Sequence, residues 1–64
     1  MTKFADNLRC ARKRIGKSQE WMAQQLKIHR TTYTKYETGV VQPSLDTFYL
    51  IVKILGVDPM ELLE

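Results

Sequence analysis

The sequence predicts an all-α domain of five short helices, and three observations carry that prediction. Apolar residues recur at three- and four-residue spacings and nowhere alternate with period two, the helical rather than the strand signature. Glycines and capping residues cut the chain into five pieces. The 64 residues, 44% hydrophobic and 27% charged, supply apolar surface for one core and too little for a second. Residues 1–64 are therefore read as one domain. Helices shorter than ~12 residues are marginal alone in water, so each must be held by burying its apolar stripe against the others.

The first piece carries Phe4, Leu8, Ala11 and Ile15 at i, i+4, i+7 and i+11, one face of an amphipathic helix, and Gly16 ends it in a left-handed turn. Ser18 caps the second piece, Gln19 to Leu26, whose Met22, Ala23 and Leu26 share a face. The third runs from Arg30 to Thr38, with Tyr33 and Tyr36 inward and Gly39 closing it. Pro43 disfavours helix just before it, and Ser44 caps a fourth piece striped by Leu45, Phe48, Ile51, Val52 and Leu55 and stopped at Gly56. Asp58-Pro59-Met60-Glu61 opens the last piece as a capping box with proline in the first turn.

Composition excludes several function classes. No apolar run approaches the ~20 residues of a membrane span, and no signal-peptide pattern opens the chain, so the expected setting is cytoplasmic and away from membranes. Cys10 is the one cysteine, which rules out an internal disulfide and leaves a packed or merely exposed thiol as its default. There is no metal-ligand spacing, phosphate-binding glycine loop or nucleophile–base pair; neither catalysis nor a cofactor is expected.

Charge is divided along the chain. Residues 1–35 hold nine Lys or Arg against Asp6 and Glu20, whereas residues 36–64 hold Lys53 against Glu37, Asp46, Asp58, Glu61 and Glu64. The halves carry +7 and −4, which sum to the net +3. Such a bipolar molecule suits an anionic partner at one end, although a solvated surface with an accidental gradient explains charge alone equally well.

The second and third pieces are joined by Lys27-Ile28-His29, the three-residue connection of a helix-turn-helix whose second helix enters the DNA major groove. With Tyr33 and Tyr36 fixing the buried side, Thr31, Thr34 and Lys35 turn outward with Arg30 beside them. Short hydroxyls and two cations near a helix N-terminus suit base edges: Arg and Lys donate to guanine O6 and N7, and threonine meets thymine methyls or hydrogen-bonds. An ordinary solvated face is the bland alternative, which the turn and the surrounding charge disfavour.

The stretch QEWMAQQLKIHRTTYTKYET, continued through ETGVVQPSLDTFYLIVKILGVDPMELL, resembles the lambda-repressor-like, Cro/C1-type (XRE) helix-turn-helix family of phage and bacterial regulators over residues 4–63. The resemblance implies a compact five-helix DNA-binding domain with its helix-turn-helix at the second and third helices. It also implies a sequence-specific, double-stranded DNA-binding regulator, a repressor that binds a pseudo-palindromic operator as a homodimer. Position by position, Arg30, Thr31, Thr34 and Lys35 become base readers, while Arg12, Ser18, Gln19, Thr32 and Thr38 become phosphate contacts. Arg12 and Glu37 occupy the positions of a structural pair between the first and third helices, which gives Arg12 two jobs. Arg9, Arg14 and Lys17 add phosphate attraction or are screened surface cations.

Several residues depart from the family pattern. Lys27 stands where many members have glycine, so a turn of slightly different shape is expected. Val40 and Val41 replace polar loop residues that relatives place beside DNA. Trp21 falls opposite Met22, Ala23 and Leu26 and either covers a neighbouring side chain or offers a partner surface. His29 is a structural cap or a phosphate contact when protonated. Tyr49, Leu50 and Ile54 lie off the fourth stripe, making that helix apolar nearly all round. A homodimer contact at Leu50, Ile54, Val57 and Met60 is therefore expected at the acidic end. The alternative function is an antitoxin-like or anti-repressor module that binds a protein partner through Trp21 and the fourth helix.

Overall fold

The computed structural model describes residues 3–64. Its helices are α1 (Lys3–Arg14), α2 (Gln19–Leu26), α3 (Arg30–Thr38), α4 (Leu45–Leu55) and α5 (Pro59–Leu63), and no strand occurs among the described residues. The predicted all-α class and all five pieces are present.

Local chemistry sets the helix boundaries. Ser18 Oγ accepts the Trp21 N–H at 3.0 Å and Ser44 Oγ accepts that of Thr47 at 3.2 Å. Asp58 Oδ1 accepts the Met60 N–H at 2.9 Å while Glu61 Oε2 accepts the Asp58 N–H at 3.4 Å, the reciprocal capping box. At the other ends, α1 to α4 are all followed by a left-handed residue: Gly16, Lys27, Gly39 and Gly56. The next N–H then reaches back five residues, from Lys17, Ile28, Val40 and Val57 to the carbonyls of Arg12, Ala23, Lys35 and Val52.

Lys27 takes φ 58° and ψ 43°, and its turn is thus built like the glycine turns rather than reshaped. The expectation of a different turn is corrected. The two carbonyl bonds gained by the Lys27 and Ile28 N–H groups, together with Ile28 packing against the core, hold a side chain in a conformation that costs roughly 1–2 kcal/mol.

One fully buried side chain from every helix meets at the centre: Leu8, Met22, Tyr33, Ile51 and Leu62. Each contributes about 1.5–3 kcal/mol by leaving water, and none of the short helices could bury its own alone. Around that centre α1 packs on α3 and α5, and α2 packs on α3 and α4. Asn7 Nδ2 donates to the Leu62 carbonyl at 3.2 Å, tying the last helix to the first.

Four apolar positions depart from their expected faces. Ile15 is exposed because α1 ends at Arg14, so the helical period no longer applies to it. Leu45, the first residue of α4, is 81% exposed and forms one wall of an open groove with Phe4, Gln42, Pro43, Phe48 and Leu63. Ile54 is half-buried against the core, since it stands one turn beyond Ile51 on the flank of the same face. Val57 also packs inward, as the apolar residue after a left-handed helix end commonly does. Of the four residues expected at a dimer contact, only Leu50 and Met60 are exposed.

Candidate nucleic-acid interface

A buried polar network spans the three helices of the basic half. Arg12, on the last turn of α1, is 8% exposed, and Glu37, near the end of α3, is 3% exposed. Arg12 Nε donates to Glu37 Oε2 at 2.6 Å, and Nη2 donates to Oε1 at 3.2 Å. Its Nη1 donates to the Lys17 carbonyl at 2.8 Å, which fixes the link between α1 and α2. Tyr33 Oη donates to Glu37 Oε2 at 2.5 Å, and Gln19 Nε2 donates to Oε1 at 3.0 Å. Each carboxylate oxygen thus accepts two hydrogen bonds, which fills the acceptor capacity of Glu37.

The electrostatics follow from this satisfaction. Burial pushes the Glu37 carboxyl up, but hydrogen bonds from Arg12, Tyr33 and Gln19 outweigh it and hold the carboxyl below its ordinary value. The bond to Glu37 raises Arg12 against the opposing effect of burial. Burial, reinforced by the Glu37 carboxylate, pushes the Tyr33 phenol well above its ordinary value. Glu37 and Arg12 are both charged at neutral pH, and Tyr33 is a neutral donor. A buried charge pair of this kind fixes geometry more than it adds net stability.

The network turns α3 so that Arg30, Thr31 and Lys35 are exposed on the side away from Tyr33 and Tyr36. Arg30 and Lys35 join no ion pair among the described residues; nor does Lys27. By contrast, Arg9 pairs with Asp6 at 3.2 Å and Arg14 with Glu61 at 3.4 Å, which partly neutralises the phosphate attraction expected of them. His29 holds the N-cap position of α3 with extended backbone but makes no side-chain cap bond. Lacking that bond, the α3 N-terminus leaves backbone donors and positive dipole beside Arg30 and Thr31.

Thr34 does not turn fully outward as expected. It is half-buried, and its Oγ1 donates to Gln19 Oε1 at 3.1 Å because the α2 N-terminus packs over that side of α3. Thr32 is half-buried, while Thr38 is exposed and donates to the Lys35 carbonyl at 3.3 Å. At the start of α2, Ser18 uses an oxygen lone pair as cap and keeps its hydroxyl proton for another acceptor. Arg12 keeps one N–H on each of Nη1 and Nη2 outside the bonds described, though its burial restricts what can reach them.

Other singled-out residues find ordinary places. Trp21 is half-buried against the core, with Lys17 Nζ 4.9 Å from its ring centroid, so it covers a neighbour rather than standing free. Cys10 is an exposed free thiol. Val40 and Val41 are both exposed. Sequence reasoning missed the Tyr33 hydroxyl, although its position one turn before Glu37 was a usable signal. It also missed the Gln19–Thr34 bond, which no local spacing announces. Among the described residues, no group of three His, Cys, Asp or Glu is arranged to hold a metal, and no helix is long and apolar enough to cross a membrane.

Comparison with known proteins places this geometry. A family model described as helix-turn-helix matches residues 8–62. The chain is 43% identical over 54 residues to a SPbeta prophage-derived uncharacterized HTH-type transcriptional regulator, YonR, of Bacillus subtilis (strain 168). That match covers 84% of this chain and 50% of the relative, so the chain spans about half the length of the curated relative it matches. No solved structure matches it. The matched span, from α1 through α5, takes in both the helix pair and the buried Arg12–Glu37 brace, and the chain belongs to the Cro/C1-type helix-turn-helix family of regulators.

Proposed function

We propose that the chain is a sequence-specific, double-stranded DNA-binding transcriptional regulator that acts without catalysis, as a repressor occupying an operator. The observation that carries this reading is the exposed Arg30, Thr31 and Lys35 face of α3, oriented by the buried network beneath it. With its side chains an α-helix is roughly 10–12 Å across, which fits a major groove ~12 Å wide. Arg30, Thr31 and Lys35 read base edges. Ser18, Gln19, Thr32 and Thr38 contact phosphate around them, and Arg12 acts mainly by bracing Glu37. The relative's description as a transcriptional regulator supports the same reading.

The protein binds as a homodimer, which sets two half-sites about one helical turn apart. Apolar side chains left exposed on α4 and α5, namely Leu45, Tyr49, Leu50, Met60 and Leu63, support self-association at the end rich in acidic residues. Ile54 and Val57 contribute to packing instead. Sedimentation at high micromolar concentration, with and without an operator duplex, reads this directly; monomer under both conditions removes the dimer.

The base-reading assignment is tested by Lys35→Ala. Preference relaxes at one base pair, at a cost of ~1–3 kcal/mol for a good base contact. Equal weakening on every sequence makes Lys35 a phosphate contact instead. Charge reversal at Arg30 and Lys35 abolishes operator binding on this account, and retained regulation in that variant transfers the function to a protein partner.

A further inference from the structure

The bond between Thr34 and Gln19 has a directional logic that bears on recognition. Glu37 is an ionised carboxylate and can only accept, so the Gln19 amide must present its N–H to Glu37 Oε1. That choice turns the Gln19 carbonyl oxygen toward Thr34, whose hydroxyl then donates to it at 3.1 Å. Both ends of the amide are thereby fixed. One N–H of Nε2 remains uncommitted on a half-buried side chain at the first residue of α2. The Thr34 proton is equally committed and is not available to a guanine or thymine acceptor unless the bond to Gln19 breaks.

We propose that Thr34 is a positioning residue rather than a base reader: its hydroxyl locks the Gln19 amide so that the remaining Nε2 proton is held ready for a DNA phosphate oxygen. The inference rests on the DNA-binding reading above and assigns Thr34 a different role from the one its helix face suggests. Without the hydroxyl, Gln19 retains its bond to Glu37 but loses the second anchor, and its long side chain must be ordered when DNA binds. The loss falls on every sequence alike, because phosphate contacts carry no base information.

The test compares wild type, Thr34→Val, Thr34→Ser and Gln19→Ala, alone and combined, by anisotropy on the best duplex from a randomised selection and on its single-base variants. Thr34→Val removes the hydroxyl at nearly constant shape and is expected to weaken all duplexes about fivefold with the order of preference unchanged. Thr34→Ser restores the affinity. Gln19→Ala in the Thr34→Val background costs less than it does alone, by about the fivefold that Thr34→Val already takes, since the hydroxyl acts only through Gln19. Melting curves of each variant ensure that the folded fraction is the same; Thr34→Ala reads the same bond if the valine variant melts early. A changed preference at one base pair on Thr34→Val, an unchanged affinity, or additive losses with Gln19→Ala overturns the positioning role while leaving the DNA-binding reading intact. A wild-type protein that enriches no duplex overturns both.

Discussion

The two halves of this molecule are stabilised by different means. The α1–α3 half is cation-rich and, beside its share of the apolar core, buries a polar network in which Glu37 is enclosed by Arg12, Tyr33 and Gln19. The α4–α5 half is rich in acidic residues and has an apolar centre, with Ile51, Leu55 and Leu62 buried and no polar side chain among its buried residues. Burial of hydrocarbon is tolerant of direction, whereas a saturated carboxylate demands each donor at one place. The directional network lies beneath the α3 face proposed above to meet DNA. The α4–α5 half leaves Leu45 and Tyr49 in solvent.

The largest effect that separates the halves is expected from Arg12→Ala. It leaves the Glu37 carboxylate buried without its cation and destabilises the fold by ~3–5 kcal/mol in a urea titration. A loss below about 1 kcal/mol means that the pair is not closed in solution. Leu62→Ala probes the apolar half by removing a fully buried side chain that anchors α5, and is expected to cost ~2–4 kcal/mol. Backbone amide exchange then shows loosening concentrated at α5 and the facing part of α1. Loosening spread evenly over α2 and α3 contradicts a division into two halves.

Acid and base both act on the half with the polar network, through two groups of α3. The Glu37 carboxyl lies below its ordinary value in the folded protein, so its contribution is present at neutral pH and down to its unfolded-state pKa. It is lost as pH falls from there through the folded value. Tyr33 is shifted upward, so its contribution is full below its ordinary value of 10.0 and is lost as pH rises beyond it. Thermal melts from pH 7 to 2 and from pH 9 to 11 check both limbs. Tyr33→Phe, which removes the phenol, flattens its own contribution to the alkaline limb.

The smallest effect is expected in the turn. Lys27→Gly relieves the left-handed side chain but loosens the unfolded chain, for a net gain of ~0.5–1 kcal/mol. A measurable loss instead means that the lysine side chain makes a stabilising contact.

How much of this was legible depended on the range of the interaction. Ser18, Ser44, Asp58 and the three glycines were readable because caps and left-handed turns are decided within a few residues. The inward faces of α2 and α3 followed from helical period alone. Period failed where helices end, at Ile15 and Leu45, and on the flank of a broad stripe, at Ile54. The family resemblance pointed to Arg12 beside Glu37, but the bond from Thr34 to Gln19 joins helices across fifteen positions and has no sequence signature. A helical wheel places Thr34 outward; the α2 N-terminus packed over it turns the hydroxyl inward.

Selection from a randomised duplex pool, followed by an anisotropy salt series on the enriched site, reads operator recognition by the α3 face. The expected result is a pseudo-palindromic site with half-sites about one helical turn apart, and an affinity that falls steeply with salt as Lys and Arg contacts release counterions. Folded protein that enriches no sequence over the random pool contradicts it and moves the function of the α3 face from DNA to a protein partner.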